Sequence, residues 1–200
     1  MSGIIVDLTS ISANFPPTPN PEVIRDNVVN TLRMLLQNSV YAVSIEGAEG
    51  IGKTSILSQF ARRLPANTVT IFLSAANRLS YDIDLLRVDL MAQVFWASTG
   101  GIFDRSHFDP ALLKSCYQRL QHKSRQIREP FYFVIDGLAD LEPAECDSLK
   151  QQLADILPIG IPQFRFLFSG DETLYRDLLH HSLTLKSYPL ILFSAPSTRA

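Results

Sequence analysis

One glycine-rich run combines residue types that could hold a polyphosphate: Gly47-Ala48-Glu49-Gly50-Ile51-Gly52-Lys53-Thr54. It fits the pattern G-x-x-x-x-G-K-[S/T] without a mismatch. Glycines let the backbone curl so that successive N–H groups point at an anion, and the N-terminus of a following helix adds its dipole. The run therefore predicts a phosphate-binding loop, here called the phosphate loop (residues 47–54).

The side chains at the end of this loop have separate tasks. Lys53 supplies a positive charge for the β- and γ-phosphates, and we assign it a catalytic role as well. The hydroxyl of Thr54 is a hard oxygen ligand suited to Mg²⁺. Ser55 follows directly and completes the predicted nucleotide contacts. Glu49 is expected to point to solvent, because a carboxylate facing phosphate would repel it.

A second anchor for Mg²⁺ is expected at the end of a neighbouring strand. The apolar run over residues 131–135 (FYFVI) ends in Asp136, and we assign this residue as a metal ligand with a catalytic role. We expect the side chains of Asp136 and Thr54 to lie close together. The other interpretation of Asp136-Gly137 is an ordinary turn at the end of a strand.

Hydrolysis also needs a group that orients the attacking water. Many ATPases place a glutamate directly after the metal aspartate, but here that position is Gly137. Asp140 is the candidate for this catalytic role, and a solvated turn acid is its alternative interpretation. The residues therefore support nucleotide binding more strongly than hydrolysis.

The elements that must position these residues alternate between strand and helix. A helix is expected from Pro21 to Gln37, with Asn20 as its N-cap. Strands are predicted over 41–45, 69–73, 131–135, 164–168 and 183–185, and further helices over 53–63, 85–96, 110–127, 144–157 and 172–180. Continuous apolar strands indicate a parallel sheet covered on both faces. The predicted fold is a three-layer α/β sandwich with strand order 5-1-4-3-2.

The composition is that of a globular protein, with 46% hydrophobic and 19% charged residues. The net charge is -2 and no block of like charge occurs, so we predict no nucleic-acid partner. The chain lacks a signal peptide and its apolar runs are shorter than the ~20 residues of a membrane span. We therefore expect no membrane partner and a cytoplasmic location. Cys116 and Cys146 are interpreted as buried small hydrophobic residues.

Three regions are expected along the chain. Residues 1–22 form an extended N-terminal leader, because residues 15–21 (FPPTPNP) hold four of the twelve prolines. Residues 23–192 form the nucleotide-binding core. Residues 193–200 form a C-terminal tail at which the core is expected to have been cut from a longer protein.

The phosphate loop together with residues 134–141 (VIDGLADL) resembles the STAND class of signalling NTPases, which includes NACHT and NB-ARC domains. The second motif of this class typically reads as apolar residues followed by Asp-Gly-Leu-Asp-Glu-Leu. Gly137 matches the small residue after the metal aspartate, and Asp140 matches the second acid. Ala139 departs from an acid that is implicated in hydrolysis. The resemblance therefore implies slow ATP turnover.

Two further segments carry weaker resemblance. Residues 23–26 (VIRD) resemble the Gly-Arg-Glu segment that lies near the adenine, which implies a nucleotide contact for Arg25. Ile24 replaces the glycine of that segment. Residues 164–169 (FRFLFS) take the position of the sensor strand, but Gly170 stands where the class often has an arginine. Ser169 or Asp171 is left as its substitute.

The resemblance covers roughly residues 18–192 and implies a nucleotide-dependent switch. Members of the class are closed with ADP and oligomeric with ATP, and they carry a helical lid and further domains after this core. It implies that ATP or ADP with Mg²⁺ are the ligands. It also implies that the core belongs to a signalling or innate-defence protein, whose further domains are its partners and which oligomerises at full length.

Other functions remain open from the sequence. A small-molecule kinase would carry lid arginines, whereas Arg62, Arg63, Arg119, Arg125 and Arg128 look like solvated helix faces. An AAA+-like ATPase would usually show a glutamate beside Asp136 and an arginine finger. A GTP-binding protein would need Asn-Lys-x-Asp, which is absent from the chain, so adenine is favoured. A non-hydrolysing interaction module could use residues 85–96 as its surface, although a core helix is the simpler interpretation.

Overall fold

A single parallel sheet forms the centre of the molecule. The structure is a computed structural model that describes residues 12–38, 40–104, 107–179 and 183–190. The strands of the described residues are β1 (Ala42–Glu46), β2 (Thr68–Phe72), β3 (Phe131–Asp136), β4 (Phe164–Ser169) and β5 (Leu185–Pro189). They lie in the order β2-β3-β4-β1-β5, and all pair in parallel. Read from the other edge this is the predicted order 5-1-4-3-2, which is confirmed.

Helices cover both faces of the sheet. They are α1 (Asp26–Asn38), α2 (Lys53–Arg63), α3 (Ile83–Thr99), α4 (Pro110–Ile127), α5 (Pro143–Ile156) and the short α6 (Thr173–Arg176). Along β3 the side chains alternate between two buried clusters, since successive residues of a strand point to opposite faces. Tyr132 and Val134 pack with α1 and α2, whereas Phe133 and Ile135 pack with α3, α4 and α5. The predicted three layers are therefore present.

Local signals account for several helix boundaries. Helix α4 begins at Pro110, and the Asp109 carboxylate accepts hydrogen bonds from the N–H groups of Ala111 and Leu112. Helices α2 and α4 have the predicted bounds. In α3, Leu86, Leu90 and Val94 are among the buried residues, so the apolar residues 85–96 serve mainly as core. Cys116 and Cys146 are buried as expected.

The start of the first helix was predicted wrongly. Helix α1 begins at Asp26 rather than Pro21, so Asn20 is not its N-cap. Val23, which the predicted helix would have included, is 66% exposed. Residues 23 and 25 instead bind the side chain of Gln59 in α2 through their backbone, which is a long-range contact that a helix starting at Pro21 does not take into account.

The C-terminal elements also differ from the prediction. Helix α6 ends at Arg176 instead of residue 180, and β5 covers Leu185–Pro189 instead of 183–185. Residue 180, the predicted end of this helix, lies outside the described residues. Upstream, Phe15 is buried and packs edge-on against Phe72 at a ring distance of 5.3 Å. Within the described residues, no helix is long and apolar enough to span a bilayer.

Candidate functional site

The phosphate loop joins the end of β1 to the start of α2. Gly52 lies at the N-cap of α2 with φ 95°, a left-handed conformation that favours glycine. Gly52 has no side chain that could cap this helix start, so a bound anion could take that place. An uncapped helix N-terminus is a suitable place for an anion. The predicted phosphate contacts of residues 47–55 therefore have a matching backbone arrangement.

The side chains of the loop take different positions. The Lys53 ammonium donates hydrogen bonds to the carbonyls of Gly47 at 2.7 Å and Ala48 at 3.0 Å, so it lies over the loop. Glu49 is exposed, as expected for a carboxylate that avoids phosphate. The side chain of Ile51 is buried, so only its backbone could contact a nucleotide.

Thr54 and Asp136 meet at the carboxyl end of the sheet. Asp136 ends β3 and is 6% exposed. Its carboxylate accepts a hydrogen bond from the hydroxyl of Ser169, and Asp136 and Thr54 line the same cavity. The expected proximity of Thr54 and Asp136 is thus present, and their metal-binding role stays a prediction.

The surroundings of Asp136 raise the pKa of its carboxyl group. Burial raises this pKa, the hydroxyls of Ser169 and Thr54 lower it, and the nearby Asp140 raises it; the net direction is upward. A cation beside the carboxylate would oppose this shift, because it stabilises the ionised form. No group of three or more His, Cys, Asp or Glu suited to a metal occurs among the described residues. Mg²⁺ bound with nucleotide often has only one or two protein carboxylates, so Thr54 and Asp136 fit that donor set.

The residue after Asp136 cannot carry a side chain in this backbone. Gly137 has φ 86°, and a Cβ built on it would lie 2.2 Å from the carbonyl oxygen of Leu73. The Leu73 N–H in turn donates to the Asp136 carbonyl at 3.0 Å, which ties the end of β2 to the end of β3. The absence of a glutamate at position 137 therefore has a steric cause.

Asp140 lies in the same place as the other predicted catalytic groups. It ends the short turn Leu138–Asp140, and its N–H donates to the Gly137 carbonyl at 3.2 Å. Its side chain is exposed and lines a cavity of about 570 Å³. The lining also includes Lys53, Thr54, Asp136 and Asp171. The structure thus brings together Lys53, Asp136 and Asp140, the three residues proposed as catalytic.

Ser169 is more central than its sequence suggested. Its hydroxyl donates to Asp136 and accepts from the Gly137 N–H at 3.4 Å. Its carbonyl accepts from the hydroxyl of Tyr175, whose ring stacks on Phe168 at 4.0 Å. Burial raises the pKa of Tyr175, which keeps its hydroxyl a neutral donor. Tyr175 was missed, since only the polar end of β4 gives a signal in the sequence.

Arg25 touches the phosphate loop. Its guanidinium donates to the Ile51 carbonyl at 2.9 Å. It does not belong to the described lining of the cavity that holds Lys53, so a direct nucleotide contact stays a prediction.

The other arginines divide into two groups. Arg63 is exposed, as expected of a solvated helix face, and Arg62 is half-buried; they form ion pairs with Asp26 and Glu22 respectively. Arg119, Arg125 and Arg128 are exposed, as expected.

The family model for the AAA ATPase domain matches residues 22–160, which is more than half of the chain. The chain belongs to the AAA ATPase domain family. This family agrees with the AAA+-like alternative raised from the sequence, and the match is not specific to the STAND class. What is established is a P-loop NTPase. No curated protein matches the chain.

A solved structure of another protein has a similar fold. The Walker-type ATPase PABY2304 of Pyrococcus abyssi is 13% identical with a TM-score of 0.51, and the alignment covers 88% of this chain and 56% of that one. Cdc6p of Pyrobaculum aerophilum (16% identity, TM-score 0.41, coverage 92% and 49%) and PCH-2 of C. elegans (16%, 0.37, 91% and 46%) also match. The chain spans about half the length of these proteins. At such identity, the first similarity shows the fold alone.

Proposed function

We propose that this AAA ATPase domain binds ATP and ADP with Mg²⁺ and acts as a nucleotide-dependent switch with slow hydrolysis. One observation carries the proposal: Lys53 and Thr54 of the phosphate loop line one cavity with Asp136, which is buried. These are the charge, the hydroxyl and the carboxylate that a nucleotide with Mg²⁺ requires.

Each residue has a stated task in this proposal. The N–H groups of the phosphate loop and of the first turn of α2 bind the phosphate oxygens, and Lys53 adds its positive charge. Thr54 and Asp136 hold Mg²⁺, which when bound neutralises charge on the phosphates. Arg25 supports the loop at Ile51.

Slow hydrolysis follows from the turn after β3. Position 137 has no room for a side chain next to the Leu73 carbonyl, so no carboxylate can be placed there. Asp140 is the remaining acid of this turn that lines the cavity, and we assign it to orienting water. It is exposed and less constrained than a residue fixed at the end of a strand, so it orients water less effectively.

The biological setting has two candidates. A STAND-like signalling or innate-defence switch is favoured by the sterically enforced glycine at position 137, because a small residue there marks that class. A more active AAA+-like ATPase is favoured by the family match itself. In both cases the partners are further domains of a longer protein and other copies in an oligomer, and the location is cytoplasmic. The rate of phosphate release separates the two.

The test is calorimetric titration of ADP and ATP with Mg²⁺, with phosphate release read on the same samples. The wild type is compared with Lys53→Ala and with the control Lys114→Ala, which removes an exposed lysine from α4. Loss of the charged contacts should weaken binding about 10- to 100-fold in Lys53→Ala only. Micromolar binding with little phosphate released supports the switch, and rapid release supports a working ATPase. A wild type that binds neither nucleotide contradicts the proposal.

A further inference from the structure

Residues 22–26, here called the strap, lie against α2; residues 22–25 precede α1, and Asp26 is the first residue of α1. Three side chains of α2 contact it. Arg62 pairs with Glu22, Arg63 pairs with Asp26, and Gln59 contacts the strap between these two ion pairs. The strap is therefore fixed to the same helix whose N-terminus forms part of the phosphate site.

Gln59 holds the strap by its backbone. Its amide N–H donates to the Val23 carbonyl at 2.8 Å, and its amide oxygen accepts from the Arg25 N–H at 3.0 Å. Gln59 is 5% exposed, and these two bonds give both the N–H and the oxygen of its buried amide a hydrogen-bond partner. Gln59 thus binds the backbone on both sides of Ile24. These bonds fix the position of the Arg25 backbone, from which the Arg25 side chain extends.

Arg25 extends from this fixed point to the phosphate loop. Its guanidinium donates to the Ile51 carbonyl at 2.9 Å. The donating nitrogen also lies 3.3 Å from the point that a Cβ on Gly52 would occupy. The Ile51 carbonyl belongs to the same peptide unit as the Gly52 N–H, one of the groups assigned to the phosphates. A charged donor on the carbonyl polarises this peptide and strengthens its N–H as a donor.

We propose that Gln59 is a positioning residue for nucleotide binding, acting through Arg25, and that it couples the strap to the phosphate loop. The inference rests on the proposed function, because the coupled ligand is ATP or ADP. Coupling of this kind is reciprocal: if the fixed strap strengthens nucleotide binding, bound nucleotide must stabilise the fixed strap by the same factor.

A double-mutant cycle separates this role from a merely structural one. We expect Arg25→Met to weaken ADP binding about 10-fold, and Gln59→Leu to weaken it nearly as much. If Gln59 acts through Arg25, the double variant is no weaker than Arg25→Met alone. The control is Arg63→Gln, which breaks another bond between α2 and the strap without touching the loop, and should change affinity less than ~2-fold. Gln59→Asn keeps the amide but is one methylene shorter, and it replaces Gln59→Leu if that variant does not fold.

Amide hydrogen exchange gives an independent readout of the strap itself. We expect the Arg25 amide to be protected from exchange in the wild type and to be more protected when ADP and Mg²⁺ are bound. In Gln59→Leu, ADP should not increase this protection. Independent, additive effects of the Arg25 and Gln59 variants on affinity, or no response of the strap to ADP, overturn the inference alone. A wild type that does not bind ADP overturns the proposed function and this inference with it.

Discussion

The carbonyl oxygen of Leu73 lies 2.2 Å from the point that a Cβ on Gly137 would occupy. Leu73 follows β2 and Gly137 follows β3, and the Leu73 N–H binds the Asp136 carbonyl. The close approach therefore results from pairing of the two neighbouring strands at the site. Asp136, the candidate metal ligand, directly precedes Gly137. The strand pairing that holds Asp136 in place therefore also leaves no room for a carboxylate at position 137.

Gly137→Glu should not restore rapid hydrolysis. The substitution combines a left-handed φ with an overlap against backbone, which together cost about 2–5 kcal/mol. We expect a lower free energy of unfolding by chemical denaturation and no gain in phosphate release.

Gly160→Glu is the matched control for this change. Gly160 has nearly the same φ, 85°, but a Cβ there would meet nothing within 4 Å. It should lose only the ~1–2 kcal/mol of backbone strain. Equal losses in the two glycine variants would contradict the steric role of Leu73.

Asp136→Asn should stabilise the protein in the absence of nucleotide. Burial is the main cause that raises the pKa of the Asp136 carboxyl group, so the folded protein holds this proton more tightly than the unfolded chain does. The stability that the protonated Asp136 gives the folded protein is present at low pH and is lost as the pH rises through the raised pKa. Asparagine keeps an oxygen acceptor and does not ionise. We expect the variant to have a higher melting temperature than the wild type at neutral pH. The difference should shrink once the pH falls below the usual pKa range of aspartate.

The same variant should lose the stabilisation that ADP with Mg²⁺ gives the wild type, because the proposed metal ligand is removed. Asp155→Asn, on the exposed side of α5, is the control and should behave as the wild type in both measurements. A melting difference that does not change with pH would show that ionisation of Asp136 is not its cause.

Local patterns were enough to predict much of the sheet and the loop. Helix α2 follows the phosphate loop with the expected bounds, and Asp136 reaches Thr54, because a parallel sheet brings the carboxyl ends of its strands to one edge. The strand order could be stated because the phosphate-loop pattern implies a particular α/β fold.

Contacts between distant residues were not predictable in this way. The start of α1 depends on Gln59, which lies 34 residues from Arg25 in the sequence. Likewise, Gly137 reads as a simple turn residue until Leu73 is placed against it. In the first case a tertiary contact overrides a local preference, and in the second it explains one. Neither contact can be read from a single segment of the sequence.

Ser169→Ala should weaken the support of Asp136. The change removes the donor to the Asp136 carboxylate and the acceptor of the Gly137 N–H, both of which are buried. Leaving these groups unpaired costs about 1–3 kcal/mol, measured by denaturant unfolding. Binding of ADP with Mg²⁺ should weaken as well, since Asp136 is no longer held.

Tyr175→Phe is the companion variant, because it removes only the donor to the Ser169 carbonyl. It should cost about 1 kcal/mol of unfolding free energy and leave nucleotide affinity unchanged. If the two variants weaken affinity equally, the effect belongs to the whole β4–α6 connection and the specific role of the Ser169 hydroxyl is wrong.

Asp140→Asn tests the assignment of the water-orienting group. Asp140 and Asp171 are exposed acids that line the same cavity. The carboxylate of Asp171 accepts hydrogen bonds from the N–H and hydroxyl of Thr173, which also lower its pKa, so it serves a local turn. We expect Asp140→Asn to reduce single-turnover phosphate release at least ~100-fold with ADP affinity unchanged, and Asp171→Asn to leave the rate near that of the wild type. The opposite result would transfer the role to Asp171, and equal wild-type rates in both variants would mean that neither carboxylate orients the water.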